Sequence, residues 1–205
     1  MTHDMIDQSP AQEAVVGLSD EPQAQATRFA QDWPETRAEF GALVHSFQDP
    51  LVRYAFRRLG RLQDAEDVVQ EVFVRAYTRV GRAGKVRSVT AYLYRMTTNA
   101  CADVLRRRKR AGVPLGAVQS ERIPDHHKSA RDEAAATEEL LRIDAMLRHL
   151  PPRQAEVIRL RVLDELRFAE IAEVLGCSAA TVKSRFRYGL EKLRALVKEQ
   201  REVGR

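Results

Sequence analysis

The sequence predicts an all-α protein of two small helical domains, an N-terminal helical bundle and a C-terminal helix-turn-helix domain, joined by a flexible linker. Three observations lead there. Apolar residues recur at helical spacing on either side of a polar interruption. The chain is 44% apolar but only 6% aromatic, and Ala, Leu, Arg, Glu and Val dominate it, which favours helix over strand. The interruption, residues 111–135, gathers Gly112, Pro114, Gly116 and Pro124 among polar residues. The expected division is a flexible acidic arm over 1–35, a helical domain over 36–110, a linker over 111–135 and a second helical domain over 136–200.

The elements follow in order. The arm is rich in Gln, Ala, Asp, Ser and Thr, and its apolar residues keep no period. From Thr36, Phe40, Leu43, Val44 and Phe47 recur at helical spacing, and Leu51, Tyr54, Ala55 and Leu59 continue after Pro50 up to Gly60, a suitable helix end. A second helix over 64–77 crowds acids into its first turn, where the helix dipole favours them. Its apolar face is Ala65, Val68, Val69, Val72, Phe73 and Ala76. After a basic loop around Gly81 and Gly84, Ser88 or Thr90 caps a third helix running to Arg110. Leu93, Met96, Ala100, Val104 and Tyr92 are its expected core residues. Helix resumes over 136–150, stops at Pro151-Pro152, and resumes over 153–163 with Val157, Ile158, Leu160 and Val162 apolar.

Residues 168–197 carry the sharpest signal. Phe168–Leu175 reads as a helix, Gly176 as a turn residue tolerant of positive φ, Ser178 as the cap of a second helix beginning at Ala179, with Thr181 beyond it. Ala172 is the small residue for a close helix crossing, and Ile171, Leu175, Val182 and Phe186 lock the pair. With Val182, Phe186, Gly189 and Leu193 inward, Thr181, Lys183, Ser184, Arg187 and Tyr188 face outward, a set suited to base edges and phosphates in a major groove. The alternative is an ordinary helical hairpin with a solvated basic face.

Charge is segregated. Residues 1–34 hold six acids and one base, and residues 35–112 hold sixteen bases and eight acids. Residues 113–145 net −3 and residues 146–205 net +5. Two basic blocks preceded and separated by acidic ones point to a polyanion partner, or to two well-solvated surfaces. The run Arg106-Arg107-Arg108-Lys109-Arg110 serves either nucleic-acid phosphates or simply a solvated helix end. Cys101 and Cys177 have no CxxC spacing, so no zinc or disulfide framework follows, and buried free thiols are expected. His126-His127 lacks further ligands at useful spacing, so no metal site and no cofactor is expected. No signal peptide and no apolar run of about 20 residues is present, so a cytoplasmic protein without membrane insertion is expected.

Three stretches in this order resemble the ECF (extracytoplasmic function) sigma factors of the sigma-70 family, over about residues 36–110 and 140–198. Leu150–Val157 with Phe168–Ala172 and Thr181–Arg185 is similar to their promoter-binding C-terminal domain. Asp64–Phe73 is similar to their polymerase-binding helix, and Ala91–Ala100 to the helix that reads the minus-ten element. The resemblance implies that the chain binds core RNA polymerase, through the β′ clamp helices and the β flap, and promoter DNA, and that an anti-sigma factor controls it. It implies that Asp67, Gln70 and Glu71 face the clamp helices. Arg95 and Asn99 lie near the minus-ten strand, and Lys85 lies in the loop that captures a flipped base. Arg106 is assigned to promoter phosphates, and Thr181, Lys183, Ser184, Arg185, Arg187 and Tyr188 to the minus-thirty-five element. Tyr92 stands where the family often has Trp, and the arm is longer than the family's usual start. Two other classes remain open on the residues alone. One is a stand-alone helix-turn-helix regulator that binds duplex DNA without polymerase. The other is an enzyme, although no nucleophile–base pair, phosphate loop or metal set stands out.

Overall fold

The computed structural model describes residues 32–81, 86–112 and 146–203, and all the regular elements among them are helices. In the N-terminal half, α1 spans Arg37–Leu59, α2 Leu62–Tyr77 and α3 Val89–Arg110. In the C-terminal half, α4 spans Pro152–Ile158, α5 Phe168–Leu175 and α6 Ala179–Val203. The arm up to residue 31 and the linker from 113 onward lie outside the described residues, as does the helix expected over 136–145.

Helix α1 starts with a reciprocal cap. Thr36 Oγ1 accepts from the Glu39 N–H at 3.2 Å, and the Glu39 carboxylate accepts from the backbone N–H groups of Glu35 and Thr36. Those bonds hold the Glu39 pKa below its ordinary value. The helix runs unbroken through Pro50. Proline withholds one backbone bond there, but Phe47, Leu51 and Tyr54 are buried on both sides of it and pin the two halves to one core. Gly60 ends α1 with φ 74°.

All six apolar positions expected on α2 are buried, and five of them are the small residues Ala and Val, which let α1 and α3 pack closely. Ser88 caps α3, accepting from the Ala91 N–H at 3.2 Å. Leu93 and Ala100 are buried as expected, whereas Tyr92, Met96 and Val104 are half-buried. Tyr94, Thr97 and Cys101 are fully buried on a second stripe of α3. That helix packs against α1 and α2 and also against α5.

In the C-terminal half the expected helix over 153–163 is shorter. It is α4 followed by a π turn over Arg159–Leu163, closed by the Asp164 N–H on the Arg159 carbonyl at 3.2 Å. The wider turn rotates Val162 outward, to 40% exposure, while Leu160 stays buried. It also aims Asp164 inward, and Glu165 follows with φ 57°. Gly176 sits at φ 63° between α5 and α6, and Ser178 caps α6, accepting from the Thr181 N–H at 3.1 Å. Phe168 and Phe186 meet edge-on at 5.3 Å across the pair. Ile171, Val174, Val182 and Phe186 are buried between the helices, and Leu175 is half-buried. Ala172 is half-buried against the core, and a second close approach lies at Gly189. A Cβ there would lie 2.6 Å from Ile158 Cδ1, so α6 lies directly on α4.

The two halves share a polar seam. Arg57 Nη2 donates to both oxygens of Asp164 at 2.6 Å, and the Tyr94 hydroxyl donates to the same carboxylate at 3.2 Å. Arg58 pairs with Glu156, which also accepts from the Tyr54 hydroxyl at 2.9 Å. Ser88, the cap of α3, donates to Glu170 of α5 at 2.9 Å. Burial pushes the Asp164 carboxyl above its ordinary pKa while the Arg57 guanidinium pulls it down, and burial raises the Tyr54 and Tyr94 hydroxyls too.

Candidate nucleic-acid interface

The outer face of α2 carries Asp67, Gln70 and Glu71, all exposed. Their spacing is that of one helix face, and the same stripe ends in Val74, whose 62% exposure is high for an aliphatic residue. Glu71 is paired along the helix with Arg75. Between α2 and α3 runs an open groove of mixed sign, with Asp67 and Glu71 on one wall and Arg106, Arg107, Lys109 and Arg110 on the other.

Arg95, Asn99 and Arg106 lie along one exposed face of α3, with Asp103 between them paired to Arg106. The structure divides the basic run. Arg108 is half-buried, pairs with Asp64 and donates to the Leu59 carbonyl at 2.7 Å, so it ties α3 to the α1–α2 turn. Arg106, Arg107, Lys109 and Arg110 remain exposed. The spacing carries a signal for this division: Arg108 stands seven residues after Cys101, on the buried face.

Lys85 lies outside the described residues. The start of α3 next to that loop holds a cluster that sequence reasoning missed. Trp33 meets Tyr92 edge-on at 5.1 Å and donates its indole N–H to the Arg79 carbonyl at 3.1 Å. The Arg79 guanidinium lies 5.6 Å from the Tyr92 ring centre. Pro34 is buried beside it, so the last residues assigned to the arm belong to the packed structure. Only the aromatic character of Trp33 hinted at this.

On α6, Lys183, Arg187 and Tyr188 are exposed, and Thr181 and Ser184 are half-buried. Thr181 Oγ1 is 2.9 Å from the Ser178 hydroxyl, so it partly serves the cap. Arg187 stacks on Tyr188 at 5.0 Å and faces Glu191 at 3.9 Å. Lys183 leans over the Phe168 ring at 5.7 Å. Arg185 differs from these: its guanidinium turns back to Cys177 Sγ at 3.6 Å, toward the turn between the helices. Cys177 is half-buried rather than buried, while Cys101 is fully enclosed and its thiol is pushed up to about 11, chiefly by burial. Among the described residues, no three His, Cys, Asp or Glu side chains converge as metal ligands, and no helix is long and apolar enough to cross a membrane.

Two protein-family models match the chain in this order: sigma-70 region 2 over residues 43–111, and sigma-70 region 4 over residues 140–193. The ECF RNA polymerase sigma factor SigW of Bacillus subtilis is 30% identical over 168 residues, covering 78% of this chain and 89% of its own length. The chain belongs to the ECF sigma factors. As one of them it is a transcription initiation factor that binds core RNA polymerase and directs it to promoters. The RNA polymerase sigma-E factor of Streptomyces avermitilis is 35% identical over 175 residues, covering 80% of this chain and 94% of its own. Among solved structures, that of CnrH in complex with the cytosolic domain of CnrY matches with a TM-score of 0.57 and 27% identity, covering 80% of this chain and 90% of that one. The helix-turn-helix and the three-helix N-terminal bundle thus correspond to the two promoter-reading regions of a sigma factor.

Proposed function

We propose that this ECF sigma factor divides promoter recognition between α3 and α6 while α2 holds the polymerase. The observation that carries this reading is that a cationic α3 face and an acidic α2 stripe accompany the helix-turn-helix. A stand-alone regulator needs neither. Asp67, Gln70 and Glu71 dock on the β′ clamp helices, and the C-terminal domain engages the β flap. Arg95 and Asn99 contact the minus-ten strand, the loop bearing Lys85 receives an unstacked base, and Arg106 contacts backbone phosphates. Lys183, Ser184, Arg187 and Tyr188 read the minus-thirty-five element, with Thr181 and Arg185 at the edge of that contact. The functional units are residues 36–110 and 136–200, joined by 111–135 and preceded by an acidic arm whose last residues, Trp33 and Pro34, pack onto the first unit.

These tasks are binding, not turnover, and call for no cofactor or metal. They belong in the cytoplasm, where polymerase and promoters are. Control by an anti-sigma factor completes the reading; the CnrH structure, a complex with a second protein, gives it support. Run-off transcription with core polymerase on genomic promoters tests the whole. Discrete start sites that appear only when the chain is added are expected. Promoter binding without any polymerase-dependent transcript would return the stand-alone regulator.

A further inference from the structure

Three separate stretches of chain meet at one end of the N-terminal bundle. The indole N–H of Trp33 donates to the Arg79 carbonyl at 3.1 Å, and its ring meets Tyr92 edge-on at 5.1 Å. The Arg79 guanidinium completes the triangle, 5.6 Å from the centre of the Tyr92 ring. Two residues after Trp33, the Glu35 carbonyl lies against Gly81, where an added Cβ would touch it at 3.5 Å. Pro34, between them in sequence, is buried. The chain just past α2 is where such a bond is needed. That helix ends at Tyr77, and the Arg79 and Val80 N–H groups bond back to the Ala76 and Tyr77 carbonyls at 3.0 Å. Carbonyls beyond a helix end have no partner within the helix. Trp33 supplies one for Arg79, and so fixes the turn from which the Arg79 side chain reaches Tyr92.

A plain apolar cover for the end of the bundle would need neither an oriented N–H nor a cation. Here Trp33 and Tyr92 are only half-buried and Arg79 is exposed. Tyr92, Arg95 and Asn99 follow at i, i+3 and i+7, so the cluster opens onto the face of α3 that bears the exposed Arg95 and Asn99. An aromatic ring beside cations suits an unstacked nucleobase and its phosphate. Stacking uses the π face that every base has, and the cation neutralises the backbone. A guanidinium carries five N–H donors, so Arg79 can stay near the ring and still meet a phosphate. A ring already braced by an indole and a guanidinium has little freedom left to lose when a base arrives.

We propose that Trp33 is a positioning residue for single-strand recognition: by bonding Arg79 and bracing Tyr92 it extends the surface of α3 back to the residues ahead of α1, with Arg79 meeting a phosphate of the bound strand. Trp33 lies before the residues matched as sigma-70 region 2, 43–111, so the extension belongs to this chain's own N-terminal segment. The proposal rests on the reading of α3 as the minus-ten helix; the bracket of Trp33, Arg79 and Tyr92 does not.

The test is the anisotropy of a labelled single strand, the non-template minus-ten strand of a promoter found by run-off transcription. It is titrated with holoenzyme, the full chain on core polymerase, over a salt series. Trp33→Ala should weaken strand binding about tenfold. Trp33→Phe, which keeps a ring against Tyr92 but loses the N–H, should weaken it by about threefold. Arg79→Ala should lower the salt slope by about 0.7, the share of one phosphate on a single strand. Trp33→Ala removes no charge, yet it should lower that slope too, because Arg79 loses its place. A mere loss of folded protein would lower the bound fraction and leave the slope. Circular dichroism and core affinity should match the unmodified chain; if Trp33→Ala loses helix content, the slope of Trp33→Phe decides. Trp33 variants that bind the strand as the unmodified chain does, or that weaken it with the slope unchanged, overturn the bracket's role. Arg95→Ala and Asn99→Ala check α3 separately. If they weaken strand binding and Trp33→Ala does not, only the role of Trp33 falls. If none of the three changes it, the minus-ten reading of α3 falls as well.

Discussion

Arginine and carboxylate meet in two regions of this molecule and do different work in each. Arg57, Arg58 and Arg108 pair with Asp164, Glu156 and Asp64 inside the structure, where each also gains a tyrosine or carbonyl neighbour. Arg75, Arg106 and Arg187 pair with Glu71, Asp103 and Glu191 on single helices, in water. The inner pairs set how helices and domains meet. The outer pairs are worth only a few tenths of a kcal/mol each, and their members stay available to partners. Exposure, not residue type, separates architecture from recognition.

The basic run at the end of α3 offers the largest contrast. Arg108→Ala should cost about 2–3 kcal/mol, since it leaves the Leu59 carbonyl and the Asp64 carboxylate without their charged donor. Arg106→Ala should change stability by less than about 0.5 kcal/mol. It should instead reduce the salt slope of promoter binding by about one. Urea melts and binding over a salt series check the two halves of this expectation. Equal stability losses at both positions would erase the contrast.

The outward faces sharpen it. Arg187→Ala should relax base preference at one upstream position by about 1–3 kcal/mol. A panel of minus-thirty-five variants measures this, and uniform weakening across the panel would reassign Arg187 to phosphate. Glu71→Lys should weaken core polymerase binding by roughly tenfold, about 1.4 kcal/mol, with helicity unchanged. Titration of core enzyme decides it, and unchanged affinity would remove Glu71 from the docking face.

The smallest effect concerns the thiols. At pH 8 an alkylating reagent should modify half-buried Cys177 and spare Cys101 in the native chain. With its pKa raised to about 11 on folding, Cys101 stays protonated where an unfolded thiol ionises. Its contribution is thus intact below about pH 9 and is lost as pH rises through 11. A Cys101→Ala variant should flatten that loss in melts between pH 8 and 11.

The sequence made some of this legible and hid the rest for physical reasons. The α2 core stripe, the Ser88 and Ser178 caps and the Gly176 turn follow from local rules, and each stands where spacing put it. Of the outward set on α6, Lys183, Arg187 and Tyr188 stand exposed as spacing put them, whereas Thr181 and Ser184 are half-buried, and Arg185, assigned by resemblance, turns back to Cys177. On the second stripe of α3, burial of Cys101 was expected of a lone thiol, but that of Tyr94 and Thr97 was not legible. The burial of Tyr94 needs partners as distant as Tyr54 of α1 and Asp164 of the C-terminal half. Asp164 was not legible either, because the π turn that aims it inward leaves no period to read. Trp33 was passed over because its partners, Arg79 and Tyr92, come from two other segments.

Trp33 is the sole tryptophan of the chain. Half-buried against Tyr92, with its indole N–H bonded, it is a built-in fluorophore at the root of the helix assigned to the minus-ten element. Its emission should lie to the blue of that from the unfolded chain. It should also respond when a nucleobase or a protein surface arrives at the start of α3. Promoter melting can thus be followed by light from the native polypeptide, with no dye attached.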